Sequence, residues 1–434
     1  MNISWFSPLD AQSSEIARYS EQLLPSLRQL ATVVAVDDGS GGTASWWSPG
    51  AGEPAVEKGV APLPIYHIGN NPQHLPIYRR SLEEPGLVIL HDLSLVDLAR
   101  HLSHELGQPD LWKEQMCRQY GEEVRALVNR SENSVSDYNE MLSRYPLFQP
   151  FVAGALGVVV HSRYARDALQ QQLPPGTPLL QLNLPAGSVV DRGPDAGAQP
   201  TVLETEDGAG PLRFIFCGHV GPNRRLLQFM EAWSQLPTPG AISLELFGNI
   251  SNSRQLQQYA EHFGVADYIR LRGYVSDAEL DQALQSADFA INLRWPTMGE
   301  ASASQLRYWS AGLPTLVSDV GWYSELPDDA VCKISVNNEI PDLLELLGGA
   351  LAAPARYRQI GERGLQQLRD VHSPVDYAAA LVALAARLVD GRLAFRMLDQ
   401  ELVTVIASMC ENDNDTRLFR DAIETAVATV RLEG

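Results

Sequence analysis

Short apolar runs of four to six residues recur along this 434-residue chain, each followed by polar or glycine-bearing residues and then by a longer amphipathic stretch. That alternation admits few folds, because strands buried on both faces and joined by helices assemble into parallel α/β sheets. In the first half the runs are Ile3–Phe6, Thr32–Val36, Pro64–Ile68, Leu87–Leu90, Gly157–His161 and Leu179–Leu182. In the second they are Leu212–Cys217, Ser243–Phe247, Ile269–Leu271, Phe289–Leu293 and Thr315–Ser318. Between the halves, Ala186–Gly210 is rich in Gly, Pro and acids and reads as a connection. The expected organisation is a Rossmann-like domain over residues 1–190, a linker over 191–210, a second Rossmann-like domain over 211–372 and a helical segment over 373–434. After Lys333 the pattern is helical throughout, with a break at His372-Ser373-Pro374 and a strongly apolar helix over Val375–Asp390.

The charge balance excludes some partners. A net charge of −20 argues against nucleic acid and against a broad basic face for anionic lipid. Residues 1–190 share the bias, with 13 Lys and Arg against 20 Asp and Glu. Cys117, Cys217, Cys332 and Cys410 are far apart, with no paired spacing, so they read as reduced thiols and not as a disulfide or zinc framework. No apolar run approaches the ~20 residues that span a bilayer, and the first residues lack a signal pattern, so a cytoplasmic location is expected.

The stretch Ala287–Pro327 carries the strongest chemical signal. A buried strand is followed by a loop ending in Gly299-Glu300, by the small residues Ala301, Ser302, Ala303 and Ser304, and by a helix over Gln305–Ala311 that Gly312 and Pro314 stop. Free backbone N–H groups and the positive end of a helix dipole meet at such a junction, and small side chains let a diphosphate reach them. A carboxylate beside a phosphate site needs another partner, which suits Glu300 to reading sugar or ribose hydroxyls. The plainer alternative is an acid near a helix start with serines that merely cap it.

Earlier in the second half, Gly218-His219-Val220-Gly221-Pro222-Asn223-Arg224-Arg225 joins a strand to a helix. Two adjacent arginines at a helix start can hold a diphosphate as its charge grows. In the first half, three strand-end loops stand out. They are Ser7–Ser14, leading into Ser14-Glu15-Ile16-Ala17-Arg18-Tyr19; His67-Ile68-Gly69-Asn70-Asn71-Pro72; and His91-Asp92. Such loops gather at the carboxyl edge of a parallel sheet, where doubly wound folds bind ligands. A strand-end His-Asp also serves as a simple helix cap. The charged stretch from Trp112 to about Arg144 reads as a solvated helical face, with acceptor binding or dimerisation as the functional alternative, and His101 and His104 as surface residues.

The run PTMGEASAS…AGLPTLVSDVGWYSELPDD resembles the donor motif of GT-B glycosyltransferases, specifically the retaining family 4. The resemblance is strong over Arg213–Asp329 and weak before it. It implies two Rossmann-like domains facing a cleft, with the last helices crossing back to the first domain. It also implies transfer of a hexosyl unit from a nucleotide diphosphate sugar to a hydroxyl acceptor, with retention and without a metal. Carried over by position, Arg225 matches the second basic residue of the diphosphate pair and His219 stands where the first is usual, with Gly218 and Arg224 beside them. Gly273, Tyr274 and Val275 resemble the base-packing loop, Glu300 with Ala301–Ser304 the donor-sugar and phosphate segment, and His91 the residue that lies against the sugar. Arg307 replaces a second glutamate, toward a phosphate, and Glu15 replaces a glycine of the acceptor loop.

The expected partners are therefore a nucleotide-sugar donor and a sugar, lipid-linked or protein acceptor, with weak peripheral membrane association and a homodimer both open. His91, Glu300 and Arg225 are the catalytic candidates. The departing diphosphate itself takes the acceptor proton in such enzymes, so no protein base is required. Cell-envelope polysaccharide synthesis is the role suggested by analogy. The rivals are a nucleotide-sugar epimerase on the same fold, and a non-catalytic binding scaffold suggested by Glu15, His219 and Arg307.

Overall fold

The computed structural model describes residues 1–10, 14–36, 62–174, 176–187, 210–250 and 252–389. Most of the expected linker and the tail beyond residue 389, with Cys410, lie outside them. Two compact units emerge: Met1–Leu182 together with the described residues from Pro374, and Asn183–Ser373.

The first unit holds β1 (Asn2–Phe6), β2 (Thr32–Val36), β3 (Leu63–Ile68), β4 (Leu87–Leu90), β5 (Gly157–Val160) and β6 (Leu179–Gln181). They form one sheet in the order β2-β1-β3-β4-β5-β6, with every pairing parallel. β3, β4 and β5 are buried at every position, as strands covered on both faces must be. Helix α1 (Glu15–Arg28) starts at Ser14, whose hydroxyl accepts from the N–H groups of Ile16 and Ala17, and it buries Ala17, Tyr19, Leu23, Leu24 and Leu27 along one stripe. α2 (Leu75–Glu83) and α3 (Val96–Glu105) follow β3 and β4.

The charged stretch after α3 is helical with its acids on a solvated face, as expected, and it also has a packed side. It forms α4 (Leu111–Tyr120), α5 (Arg125–Ser131) and α6 (Val135–Arg144), which bury Trp112, Met116, Leu127, Val128, Met141 and Leu142 among themselves while the acids point outward. His101 and His104 are exposed, as their spacing suggests. After α7 (Gln149–Val152) and α8 (Arg163–Gln170), the chain leaves the unit and returns to it as a helix over 374–389. That helix buries Tyr377, Ala378, Leu381, Leu384, Ala385 and Leu388 on one stripe, and Leu388 lies against Gly157 of β5.

The second unit holds β7 (Leu212–Cys217), β8 (Ile242–Phe247), β9 (Ile269–Gly273), β10 (Phe289–Asn292), β11 (Thr315–Ser318) and β12 (Cys332–Ile334). The order is β12-β11-β10-β7-β8-β9, again parallel throughout. The strand β12 corrects the reading of a wholly helical chain after Lys333: three residues at a sheet edge are too few to show a period of two. The helices are α9 (Leu226–Ser234), α10 (Ser253–His262), α11 (Asp277–Ser286), α12 (Ala303–Ser310), α13 (Glu339–Ala352) and α14 (Pro354–Val371). Phe214, Phe216, Phe229, Trp233, Leu244 and Phe289 fill the core. α14 reaches α12 because Gly361 and Gly364 lack side chains; a Cβ there would fall 2.1 Å from Gly312 O and from Trp309 Cδ1.

Among the described residues no helix is long and apolar enough to cross a membrane. Cys117, Cys217 and Cys332 are buried thiols outside any disulfide.

Candidate functional site

In the second unit the strand order reverses between β7 and β10, which are hydrogen-bonded neighbours. Loops leaving adjacent strands in opposite directions open a crevice at their carboxyl ends, and doubly wound sheets bind nucleotides there. The two loops in question are Gly218–Arg225 and Leu293–Ser302, the segments singled out in the sequence.

The first loop is zipped to its neighbour. Gly218 N donates to Phe247 O at 3.0 Å, Val220 N to Asn249 O at 2.8 Å and Gly248 N to Gly273 O at 2.7 Å. Gly218 and Gly248 have φ of +129° and +108°, and a Cβ on Gly248 would fall 2.3 Å from Gly218 O. No other residue type fits that approach. A short turn over Pro222–Arg224 then leads into Arg225, which takes φ +56°.

The second loop delivers the helix start. Ser302 caps α12, accepting from Gln305 N at 3.2 Å, and Asn292 at the end of β10 donates to both Ser302 Oγ and Gln305 Oε1 at 3.1 Å. Ser304 Oγ donates to Cys217 O at 3.3 Å, and Cys217 N donates to the Tyr308 hydroxyl at 2.7 Å. The N-terminus of α12 is thus pinned to the end of β7, with Ala301 and Ala303 adding no bulk. Glu300, just ahead, is 8% exposed. Its Oε2 accepts from Met298 N at 2.7 Å and from Thr297 Oγ1 at 3.2 Å, while Oε1 pairs with the buried Arg294 guanidinium. Arg294 escaped the sequence reading, lying inside an apolar run with nothing local to mark it.

The two loop arginines part company. The Arg224 charge lowers the pKa of His219, second to burial, and bears on the buried hydroxyls of Tyr308 on α12 and of Tyr323. Arg225 turns to Glu339 at the start of α13. Its Nε lies 3.1 Å from each carboxylate oxygen, its Nη2 also bonds Oε2, and its guanidinium sits 5.7 Å above the Trp295 ring. Arg307 bonds Asp277 at 2.9 Å and Asp281 at 2.8 Å on α11. Gly273 takes φ +68° at the end of β9, Tyr274 is 73% exposed and Val275 packs against the apolar cluster that includes Phe247 and Leu284.

The carboxyl edge of the first unit is built differently. His67 from β3, His91 after β4, His161 after β5, Trp5 from β1, Tyr19 from α1 and Tyr377 from the 374–389 helix form one ring cluster, with centroids 4.2 to 5.9 Å apart at the contacts around His67, His91 and His161. His67 Nδ1 and His91 Nε2 share a hydrogen bond of 2.9 Å. The His67 Nε2 atom is buried without a partner. An orphaned lone pair is better tolerated than an orphaned N–H, which assigns the proton to Nδ1 and makes His91 the acceptor. His74 and His161 each donate Nδ1–H to a carbonyl, of His67 at 2.7 Å and Leu182 at 3.2 Å. Burial pushes all four pKa values down, to about 4 for His74 and His161 and well below the ordinary value for His67 and His91. Asp92 accepts from Asn70 N at 2.7 Å, so its role is to fix that loop. Among the described residues no group of three His, Cys, Asp or Glu is placed to hold a metal.

Residues 211–350 match the family described as Glycosyl transferases group 1. The MMP alpha-(1->4)-mannosyltransferase of Mycolicibacterium hassiacum is 23% identical over 171 residues, 39% of this chain. The match spans 41% of that relative, less than half its length. Solved structures share the fold. WaaG, a glycosyltransferase involved in lipopolysaccharide biosynthesis, superposes with a TM-score of 0.53 at 16% identity, covering 87% of this chain and 98% of that one. The sucrose-phosphate synthase of Thermosynechococcus elongatus gives 0.57 at 13% identity, over 90% and 100%. Anabaena HepE, solved in complex with UDP and glucose, gives 0.52 at 13%, over 89% and 99%. Two Rossmann-like units, with the helix over 374–389 returned to the first, give the chain the GT-B fold of these glycosyltransferases, and residues 211–350 of the second unit carry the match to the group 1 family.

Proposed function

We propose that the chain transfers a hexosyl unit from a nucleoside diphosphate sugar to a hydroxyl acceptor, with retention at the anomeric carbon. The observation that carries this reading is the convergence at the β7/β10 crevice of the α12 N-terminus, the Arg224 charge and the buried carboxylate of Glu300. Breaking the bond from sugar C1 to phosphate oxygen leaves negative charge on the diphosphate, and stabilising that charge is the largest demand on the site. The α12 N–H groups and Arg224 are suited to meet it. Glu300, held by Arg294 and Met298, is suited to orient sugar hydroxyls, and exposed Tyr274 to stack on the base. The first unit is assigned the acceptor, with His91 as its strand-end polar group. HepE was solved in complex with UDP and glucose, which makes UDP the first nucleotide to try.

A thermal-shift panel with UDP, GDP, ADP, CMP and dTDP tests the reading. One nucleotide should raise the melting temperature of the wild type and raise it less in Arg224→Ala. No shift from any of them would sink it.

A further inference from the structure

We propose that Arg225 and Glu339 form a latch that aims Arg224 at the donor diphosphate, making both of them positioning residues that need not touch the donor. The inference rests on the donor site proposed above and deepens it.

Three observations converge on the pair. Arg225 takes φ +56° and ψ 21°, and among the described residues only Leu147 shares a positive φ without being glycine. A side chain in that region is strained, so something other than local preference holds it there. The holder is visible. Glu339, 7% exposed and 114 residues further on, receives the guanidinium through both carboxylate oxygens, a forked geometry that fixes direction as well as distance. The same guanidinium lies over the Trp295 ring, and the Trp295 backbone N–H donates to Asn223 O at 2.8 Å. Arg225 therefore ties its own loop to the start of α13 and to the segment that leads through Arg294 to Glu300. Arg224 ends the 3₁₀ turn and is joined directly to Arg225, so holding Arg225 at φ +56° anchors the end of the turn that carries Arg224.

A direct role for Arg225 on the diphosphate predicts the opposite response to losing Glu339. A phosphate-binding Arg225 would gain from release of the competing carboxylate, and affinity would rise. A latch would slacken, and affinity would fall. The full chain is titrated separately with UDP, GDP and ADP, as wild type, Glu339→Ala, Glu339→Gln, Arg225→Gly and the Arg225→Gly/Glu339→Ala double variant. For the nucleotide that the wild type binds, Glu339→Ala is expected to weaken binding about tenfold and Glu339→Gln about threefold. The double variant should bind more tightly than Glu339→Ala, because glycine accepts φ +56° without strain and no buried charge is left unpaired. Tighter binding by Glu339→Ala or Glu339→Gln, or a double variant no better than either single one, overturns the latch and places Arg225 on the phosphate. Should Glu339→Ala fail to fold, the neutral, isosteric Glu339→Gln and the double variant decide the matter. Binding of none of the three nucleotides by the wild type would instead overturn the donor-site reading, and the latch with it.

Discussion

The two units present carboxyl edges of opposite character on sheets of nearly the same topology. In the second unit the edge is ionic: Arg225 with Glu339, Arg294 with Glu300, Arg307 with Asp277 and Asp281. In the first it is neutral and aromatic, with imidazoles, phenols and an indole packed ring to ring. Fixed charge pairs suit a ligand that arrives with charge, because the low dielectric strengthens each contact. Rings and uncharged imidazoles suit hydroxyl-rich ligands. The contrast teaches that the sheet supplies a place, while the residues at strand ends decide what chemistry happens in it.

The largest effect should come from Gly248→Val, which puts a side chain 2.3 Å from Gly218 O at φ +108°. A cost of about 3 kcal/mol or more is expected. Calorimetry should show a lowered melting temperature and loss of nucleotide binding, whereas Gly154→Val, with open space around it, should melt near wild type.

Acid should separate the units next. His74 and His161 have folded pKa values of about 4 against about 6.5 unfolded, so below pH 6.5 the unfolded chain binds protons that the folded one refuses. Stability is therefore fully present above pH 6.5 and falls as the pH drops toward 4, by roughly 3 kcal/mol for each such group. Hydrogen exchange from pH 7 to pH 4.5 should show the first unit losing protection ahead of the second, and His161→Leu should flatten its slope. Simultaneous loss in both units would break the comparison.

Arg224→Ala should then cost about 2 kcal/mol of nucleoside diphosphate affinity, the range for a hydrogen bond to a charged group. His67→Ala, in the other unit, should change that affinity less than twofold. The smallest effect is assigned to Arg307→Ala. Its guanidinium is already committed to two partly exposed aspartates, so calorimetric titration should find affinity within about 1 kcal/mol of wild type.

Strand positions were legible because burial on both faces writes an unbroken apolar run, and ten of the eleven expected runs differ from the observed strands by no more than one residue at either end. The exception is Ile269–Leu271, which extends to Gly273. The strand β12 was not legible, being three residues at an edge. The solvated face of α4–α6 was legible in its charges, while the few apolar residues that decide its packing, Trp112 and Met141 among them, were not. The small-residue helix start after Glu300 could be read locally, since the cap and the free N–H groups lie within a few positions of each other. Arg225 with Glu339 could not, nor His67 with His91: such pairs join segments 114 and 24 residues apart, and only the fold brings them together.

The helix over 374–389 belongs to the first unit, and Tyr377 stands in its aromatic cluster. During synthesis the second unit, continuous from Asn183 to Ser373, can therefore finish folding while the first still lacks a piece of its own wall. Severing the chain after Ser373 would leave the second unit whole and the first unit missing the Tyr377 ring and the apolar stripe that covers β5, so the part made first is the part completed last.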